Sequence, residues 1–370
     1  MSAIRSFVRR EPVLFIAALA AIITCFLVPP DASYLTYLDF RTLSLLYCLM
    51  TVVNGLRQAG LFSHLAHTLC EHAANLRAIA ILLVLLCFFT SMLITNDVAL
   101  LTFVPFAVVV MGMAHHQREL VHVVVLQTVA ANLGSMLTPV GNPQNLYLYS
   151  FYDMGFGEFL KVTFPVWALS LALLLALCLI FRKDHLDLFL GEEPGMERTP
   201  ILIHAVLFLV CLLVVLRLIP WYVMLLTVLG VLLFCDRKLL LKADFMLLLT
   251  FVAFFVFSGN LARIESVSSA IRRLMDGREY WMSLLTSQVI SNVPAALLLS
   301  GFTKRSHAIL LGVNIGGLGT PIASLASLIS LKLYSHSEHA STGRFLTEFL
   351  FANIALLLLL SCLAVLILRP

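Results

Sequence analysis

Residues 91–110 read SMLITNDVALLTFVPFAVVV, and one side chain in that stretch decides how the chain is read. Across residues 78–113 the only charged group is Asp97. A carboxylate inside so long an apolar run is either an expensive guest in lipid or the lining of a cavity built within a membrane. The composition favours a bilayer. The 370 residues are 61% hydrophobic and 12% charged, with a mean hydropathy of +1.00. A soluble chain carries about 25% charged residues. Apolar runs of near-spanning length recur at 12–29, 159–181, 201–216 and 345–368. An all-α polytopic membrane protein is predicted.

Several functions are excluded at this level. The net charge of +4 carries no nucleic-acid signature. The eight cysteines lie singly, without CxxC or zinc-like spacing, and read as small buried hydrophobes. There is no GxxxxGKS/T phosphate loop and no soluble domain, so transport energy would come from an ion gradient. No base, nucleophile or metal set accompanies Asp97, so no enzyme and no cofactor beyond a coupling Na⁺ or H⁺ are expected. His64, His67, Glu71 and His72 have metal-like spacing but fall on what reads as the polar face of a surface helix. The first apolar run follows Arg5, Arg9 and Arg10 and ends in Val28-Pro29-Pro30, not in a small-residue cleavage site. A retained first helix is expected.

Spanning helices are predicted near 12–29, 40–57, 119–150, 158–181, 200–219, 221–235, 244–260, 306–331 and 344–368. Segments 78–114 and 280–302 differ, being interrupted by Thr95-Asn96-Asp97 and by Ser291-Asn292-Val293-Pro294. Gly and Pro clusters interrupt 119–150 and 306–331. Non-helical backbone at membrane depth is tolerated only where protein buries it or a wet cavity adjoins it. Four interruptions therefore imply one shared cavity.

The interruptions match in pairs. Thr95-Asn96-Asp97 aligns with Ser291-Asn292-Val293, and Asn132–Pro139 aligns without a gap with Asn314–Pro321. Upstream, Leu38-Asp39-Phe40 echoes Ala243-Asp244-Phe245. Two copies of one unit are expected, at 1–182 and 200–370, joined by a cytoplasmic loop at 183–199. The second copy has an extra apolar segment, 221–235, and one added crossing inverts all that follows. The expected fold is thus two inverted repeats, each with a re-entrant helical hairpin (78–114, 280–302) and a broken helix (119–150, 306–331). The first hairpin's arms are long enough that two full crossings are the alternative. Amphipathic stretches carrying Leu61, Leu65, Leu69 and Leu76, and Leu261, Ile264, Val267, Ile271 and Leu274, read as helices along the membrane surface. A weak excess of Lys and Arg in the inner loops places the N-terminus in the cytoplasm.

Hairpin tips and breaks leave backbone groups unpaired. Half-helix N-termini favour anions, whereas unwound carbonyls favour Na⁺ or a protonated carrier. Candidate substrate-binding residues are Thr95, Asn96, Asn142, Asn145, Ser291, Asn292, Thr320 and Ser324. Candidates for cation or proton coupling are Asp97, Asn96, Gly134, Thr138, Asn292 and Gly316. Gly, Ser and Thr also line ordinary helix contacts, but here they recur on the breaks. Asp97 can bind a cation or carry a proton; its simpler role is to cap the half-helix starting at Val98.

At these residues the sequence resembles the ion transporter superfamily, which includes divalent anion:sodium symporters, citrate transporters, arsenite efflux permeases and one group of Na⁺/H⁺ antiporters. The divalent-anion members carry Ser-Asn-Thr at two hairpin tips and Gly-Thr-Pro-Pro-Asn-like runs at two broken helices. Here the tips fall on Thr95-Asn96-Asp97 and Ser291-Asn292-Val293, and the runs on Val140–Asn145 and Gly319–Ser324. The resemblance covers about 10–365 and is closest to a bacterial inner-membrane permease branch with a citrate-transporter-like domain. Asp97 and Val293 replace the tip threonines. Thr-Asn-Asp is more similar to the arsenite-permease branch, which implies H⁺ coupling and a neutral or weakly acidic metalloid. Members of the superfamily are often homodimers.

The expected function is secondary active transport by alternating access. The cargo is a small anion or its protonated acid (a carboxylate, or an oxyanion or metalloid such as arsenite), coupled to H⁺ or Na⁺. A Na⁺/H⁺ antiporter without organic substrate and an ion channel are the alternatives.

Overall fold

The interrupted apolar runs fold as helices with breaks at the polar clusters. The computed structural model describes residues 11–71, 73, 75–114, 116–184, 195–337 and 340–369. Most of the 183–199 loop, together with His72, lies outside those residues. Helix α1 spans Pro12–Leu27 with Pro12 in its first turn, where a missing N–H costs nothing. A single turn, α2 (Tyr34–Tyr37), leads to α3 (Phe40–Gln58) and, after a 51° bend, to α4 (Leu61–Glu71). Then come α5 (Leu76–Ile94), α6 (Asn96–Met113) and α7 (Gln117–Gly134). Two 3-10 turns lie at Ser135–Leu137 and Pro139–Gly141, followed by α8 (Pro143–Phe151) and α9 (Phe156–Cys178).

After two further helices, α10 (Arg198–Val215) and α11 (Trp221–Cys235), the order of elements recurs. Helix α12 (Phe245–Arg263) has 19 residues, as α3 has, and α13 (Glu265–Met275) has 11, as α4 has. Asp39 and Asp244 open the two 19-residue helices identically, each accepting an N–H three residues on at 2.9 Å. Next are α14 (Glu279–Ile290), α15 (Asn292–Leu299) and α16 (Ser306–Ile315). A 3-10 turn at Pro321–Ala323 precedes α17 (Leu325–Ser335), and α18 (Thr342–Ile367) closes the chain.

Among the described residues, seven helices are long and apolar enough to cross a membrane, or up to eight if the bent pair α3–α4 is one span. The chain is therefore an all-helical, multi-pass membrane protein. The two interrupted segments differ in reach. Helices α5 and α6, at 19 and 18 residues, each approach the length of a full crossing. Helix α14 has 12 residues, about 18 Å at 1.5 Å per residue, and does not span.

Packing pairs the halves reciprocally. Helix α1 lies on α12 and α10 lies on α3; α17 packs against α6 and α8 against α15. At the centre stands α7, 89% of whose apolar window is buried in protein. For α9, α10, α12 and α18 the share is 28%, so those helices present leucine and phenylalanine to lipid, as at Phe164 and Phe351. The surface-helix reading of 61–71 needs one correction. Its leucines Leu65 and Leu69 do face outward, but His67 lies on the protein-facing side with Phe62, Ala66 and Cys70, not on a polar face. Among the described residues no group of three metal-ligating side chains forms.

Candidate functional site

The two tips share a backbone conformation that the sequence did not announce. Thr95 has φ 72° and ψ 150°, and Ser291 has φ 75° and ψ 156°. This region belongs almost wholly to glycine and costs on the order of 1–3 kcal/mol per residue, so surrounding structure must hold it. Each tip residue ends one helix and starts the next, its carbonyl accepting the first helical N–H of the new helix, from Ala99 and from Ala295, each at 3.1 Å.

Both breaks are anchored alike, each to the helix that precedes a tip, α5 or α14. The Thr138 hydroxyl donates to the carbonyl of Met92, and that of Thr320 donates to the carbonyl of Gln288 at 3.2 Å. Gly134 and Gly316 make the approach close enough. A Cβ on Gly134 would lie 2.0 Å from the Phe88 carbonyl oxygen; one on Gly316 would lie 3.0 Å from Leu284 Cα. Carbonyls freed by the breaks are then met by two amides. Asn145 Nδ2 donates toward the carbonyls of Ser135, Met136 and Thr138 at 3.3–3.4 Å. Gln288 Nε2 donates to those of Gly316 and Leu318 at 2.7 and 3.0 Å.

The halves cross at two asparagines, Asn132 and Asn314, each in the last turn before a break. Asn314 donates to Asn145 Oδ1 at 2.6 Å and accepts from Asn142 Nδ2 at 3.2 Å. Asn132 Oδ1 accepts from Ser324 at 2.9 Å, and its Nδ2 donates to Ser327 at 3.3 Å. Positions 142 and 145 of one half and 324 and 327 of the other thus play the same part. The first tip joins through Asn96 Nδ2, which donates to Asn132 Oδ1 at 3.1 Å. The second joins through Ser291, whose hydroxyl approaches the Ala323 carbonyl at 3.4 Å, while Asn292 lies against Gly317. All these amide and serine side chains are buried. The cluster offers neutral donors and acceptors, and no basic side chain enters this hydrogen-bond set.

Asp97 stands apart. It lies inside the first turn of α6, where its N–H is capped by Asn96 Oδ1 at 3.0 Å. Its own side chain caps nothing, and Oδ1 is buried without a hydrogen-bond partner. The capping role that stands as its simpler alternative is not seen, because the helix begins one residue before it.

Sequence reasoning named Thr95, Asn96, Asn142, Asn145, Ser291, Asn292, Thr320, Ser324, Gly134, Thr138 and Gly316, and these line the tips, the breaks or the contacts between them. It passed over Asn132, Asn314, Ser327, Ser135 and Gln288. The signal for Asn132 and Asn314 was present, since they open the gapless match between the breaks. That for Gln288 was not, since Met92 holds the corresponding position. Replacing Asn314 by Ala strands Asn142 and Asn145. At roughly 0.6–2 kcal/mol per interhelical hydrogen bond in a membrane protein, the variant should melt measurably earlier in detergent. In a double-mutant cycle, Asn314→Ala with Asn145→Ala should lose less than the sum of the two single losses; additive losses would show that the two do not interact.

The sequence profile described as citrate transporter matches residues 3–307. An uncharacterized transporter of Methanocaldococcus jannaschii is 33% identical over 311 residues, 83% of this chain and 84% of the relative. The inner membrane protein YbiR of Escherichia coli is 29% identical over 301 residues, 80% of each chain. A silicon efflux transporter of Oryza sativa is 28% identical over 148 residues, 40% of this chain and 30% of the relative.

Proposed function

This chain belongs to the citrate transporter family of membrane transporters, and from that premise we propose a secondary active carrier for a small, weakly acidic solute. The cargo is a small anion or its protonated acid, taken through the membrane by alternating access and coupled to H⁺ or Na⁺. The observation that carries this reading is the reciprocal crossing of the two breaks at Asn132 and Asn314, with both strained tips against it. Helix N-termini at Asn96, Asn292, Pro143 and Leu325 fall at the tips and breaks, and first-turn N–H groups there suit an oxyanion. Amide and hydroxyl groups without a basic partner suit a solute of low charge, and the likeness to a silicon efflux transporter points the same way.

In this proposal 1–182 and 200–370 are inverted repeats, and the two tip segments are hairpins entering from opposite faces. The longer arms α5 and α6 reach the same depth by tilting. Asp97 is the coupling group. A proton or cation neutralises it while an acid occupies the amide cluster, and the loaded site then passes between faces as one set of helices moves against the other. Val293, its counterpart, carries no charge, so one coupling carboxylate serves two half-sites. The protein sits in a bacterial inner membrane with its N-terminus in the cytoplasm, as a homodimer. The positive-inside bias and the YbiR likeness support this placement.

The test is a thermal-stability screen of purified protein against citrate, dicarboxylates, sulfate, phosphate, arsenite and silicic acid. Each is tried with and without Na⁺ at two pH values, followed by flux in proteoliposomes. Protection by one acid that deepens with H⁺ or Na⁺ supports the proposal. Na⁺-driven proton flux with no solute would instead make the protein a Na⁺/H⁺ antiporter, and unsaturable current a channel.

A further inference from the structure

A second feature lies at one end of the bundle. A cavity of about 700 Å³ opens where the first turns of α9, α14 and α16 meet the last turn of α18. Three helix N-termini face it, each with a partial positive charge. Its basic side chains outnumber its acids. Glu158 is engaged by His307 at 2.8 Å, and Glu279 by Arg305 at 3.5 Å. Arg278, Lys304 and Arg369 line the same cavity, are exposed, and have no ion-pair partner among the described residues. The remaining wall is apolar, formed by Val365 and Ile367 on α18, by Leu368, which caps that helix, and by Trp281, which is 46% exposed. Tyr280 packs edge-on to Trp281 and ties this wall to α18 through Ser361 at 2.7 Å.

We propose that this cleft seats the phosphate of an anionic phospholipid, with the acyl chains running down beside Trp281 and the end of α18. A soluble phosphate presents the same oxyanion to the same arginines, but it has no use for the apolar half of the wall. A zwitterionic lipid fills the apolar half, but its own ammonium competes with Arg278, Lys304 and Arg369 for its phosphate. An anionic lipid satisfies both, and an exposed tryptophan at the rim is the residue type that marks the headgroup level. The seat also bears on the transport helices. Helices α14 and α16 start in the cleft and end at the second tip and the second break, so a lipid bound here braces both from the far end.

The experiment uses the full chain in detergent, titrated with phosphatidylglycerol, phosphatidylcholine, or soluble glycerol 1-phosphate. Lipid retention is read by native mass spectrometry and stability by melting. Phosphatidylglycerol should be retained and protective, and the other two should not. The double variant Arg278→Gln, Lys304→Gln should weaken phosphatidylglycerol binding about 30-fold, at ~1 kcal/mol per cation. If that variant melts early without lipid, Arg369→Gln, at the chain's last turn, should still weaken binding about 5-fold. Equal retention of phosphatidylcholine, or undiminished binding by the variants, would overturn the proposal. Protection by glycerol 1-phosphate alone would reassign the cleft to a soluble anion.

Discussion

Asp97→Asn retains the fold and loses coupled transport, to below about a hundredth of the wild-type rate, as expected for an intramembrane carboxylate on an ion path. The isosteric amide keeps the volume. Asp97 Oδ1 accepts no hydrogen bond, so the substitution deletes none. Removing a buried, unpaired charge relieves desolvation, and the melting temperature should hold or rise. A purely structural carboxylate behaves in the opposite way, with stability falling while flux survives. Flux is read in proteoliposomes holding a pH-sensitive dye, under imposed gradients of citrate, arsenite or silicic acid. Wild-type flux with unchanged proton coupling would remove Asp97 from the mechanism.

The second large effect is steric. In Gly134→Ala the new Cβ meets the Phe88 carbonyl oxygen at 2.0 Å and Ser91 Oγ at 2.7 Å. The nearer obstacle is backbone and cannot rotate away, so α5 and α7 must separate. Overpacking of this kind costs about 1–3 kcal/mol, and more where backbone has to shift. The separation also draws Thr138 from the Met92 carbonyl and loosens the first break, so transport should fall together with the melting temperature. Gly230→Ala in α11 is the control. Nothing lies within 4 Å of its Cβ, and replacing a mid-helix glycine by alanine should leave stability unchanged or slightly improved. Gly134→Ala melting with the wild type would mean that the two helices do not touch there.

Much of this molecule was legible in its residues. The bilayer follows from hydropathy, because twenty apolar side chains in a row have no other solvent. The four breaks follow from Thr95–Asp97, Ser291–Pro294 and the Gly-Pro clusters, because clusters of such residues favour helix ends, whereas single prolines such as Pro105 and Pro165 stay inside helices. Both are local properties, and so is the recurrence of Asp39 and Asp244, which the structure shows to be helix caps. Three features needed the tertiary structure. The positive φ of Thr95 and Ser291 sits on residues that seldom adopt it, so only the surrounding packing fixes it. The role of Gln288 arises because its side chain reaches carbonyls some 30 residues away that its counterpart Met92 cannot bond. Sequence could align Asn132 with Asn314, but it could not pair each with the opposite half. That exchange depends on which helices lie side by side, and proximity between distant segments is a property of the folded chain alone.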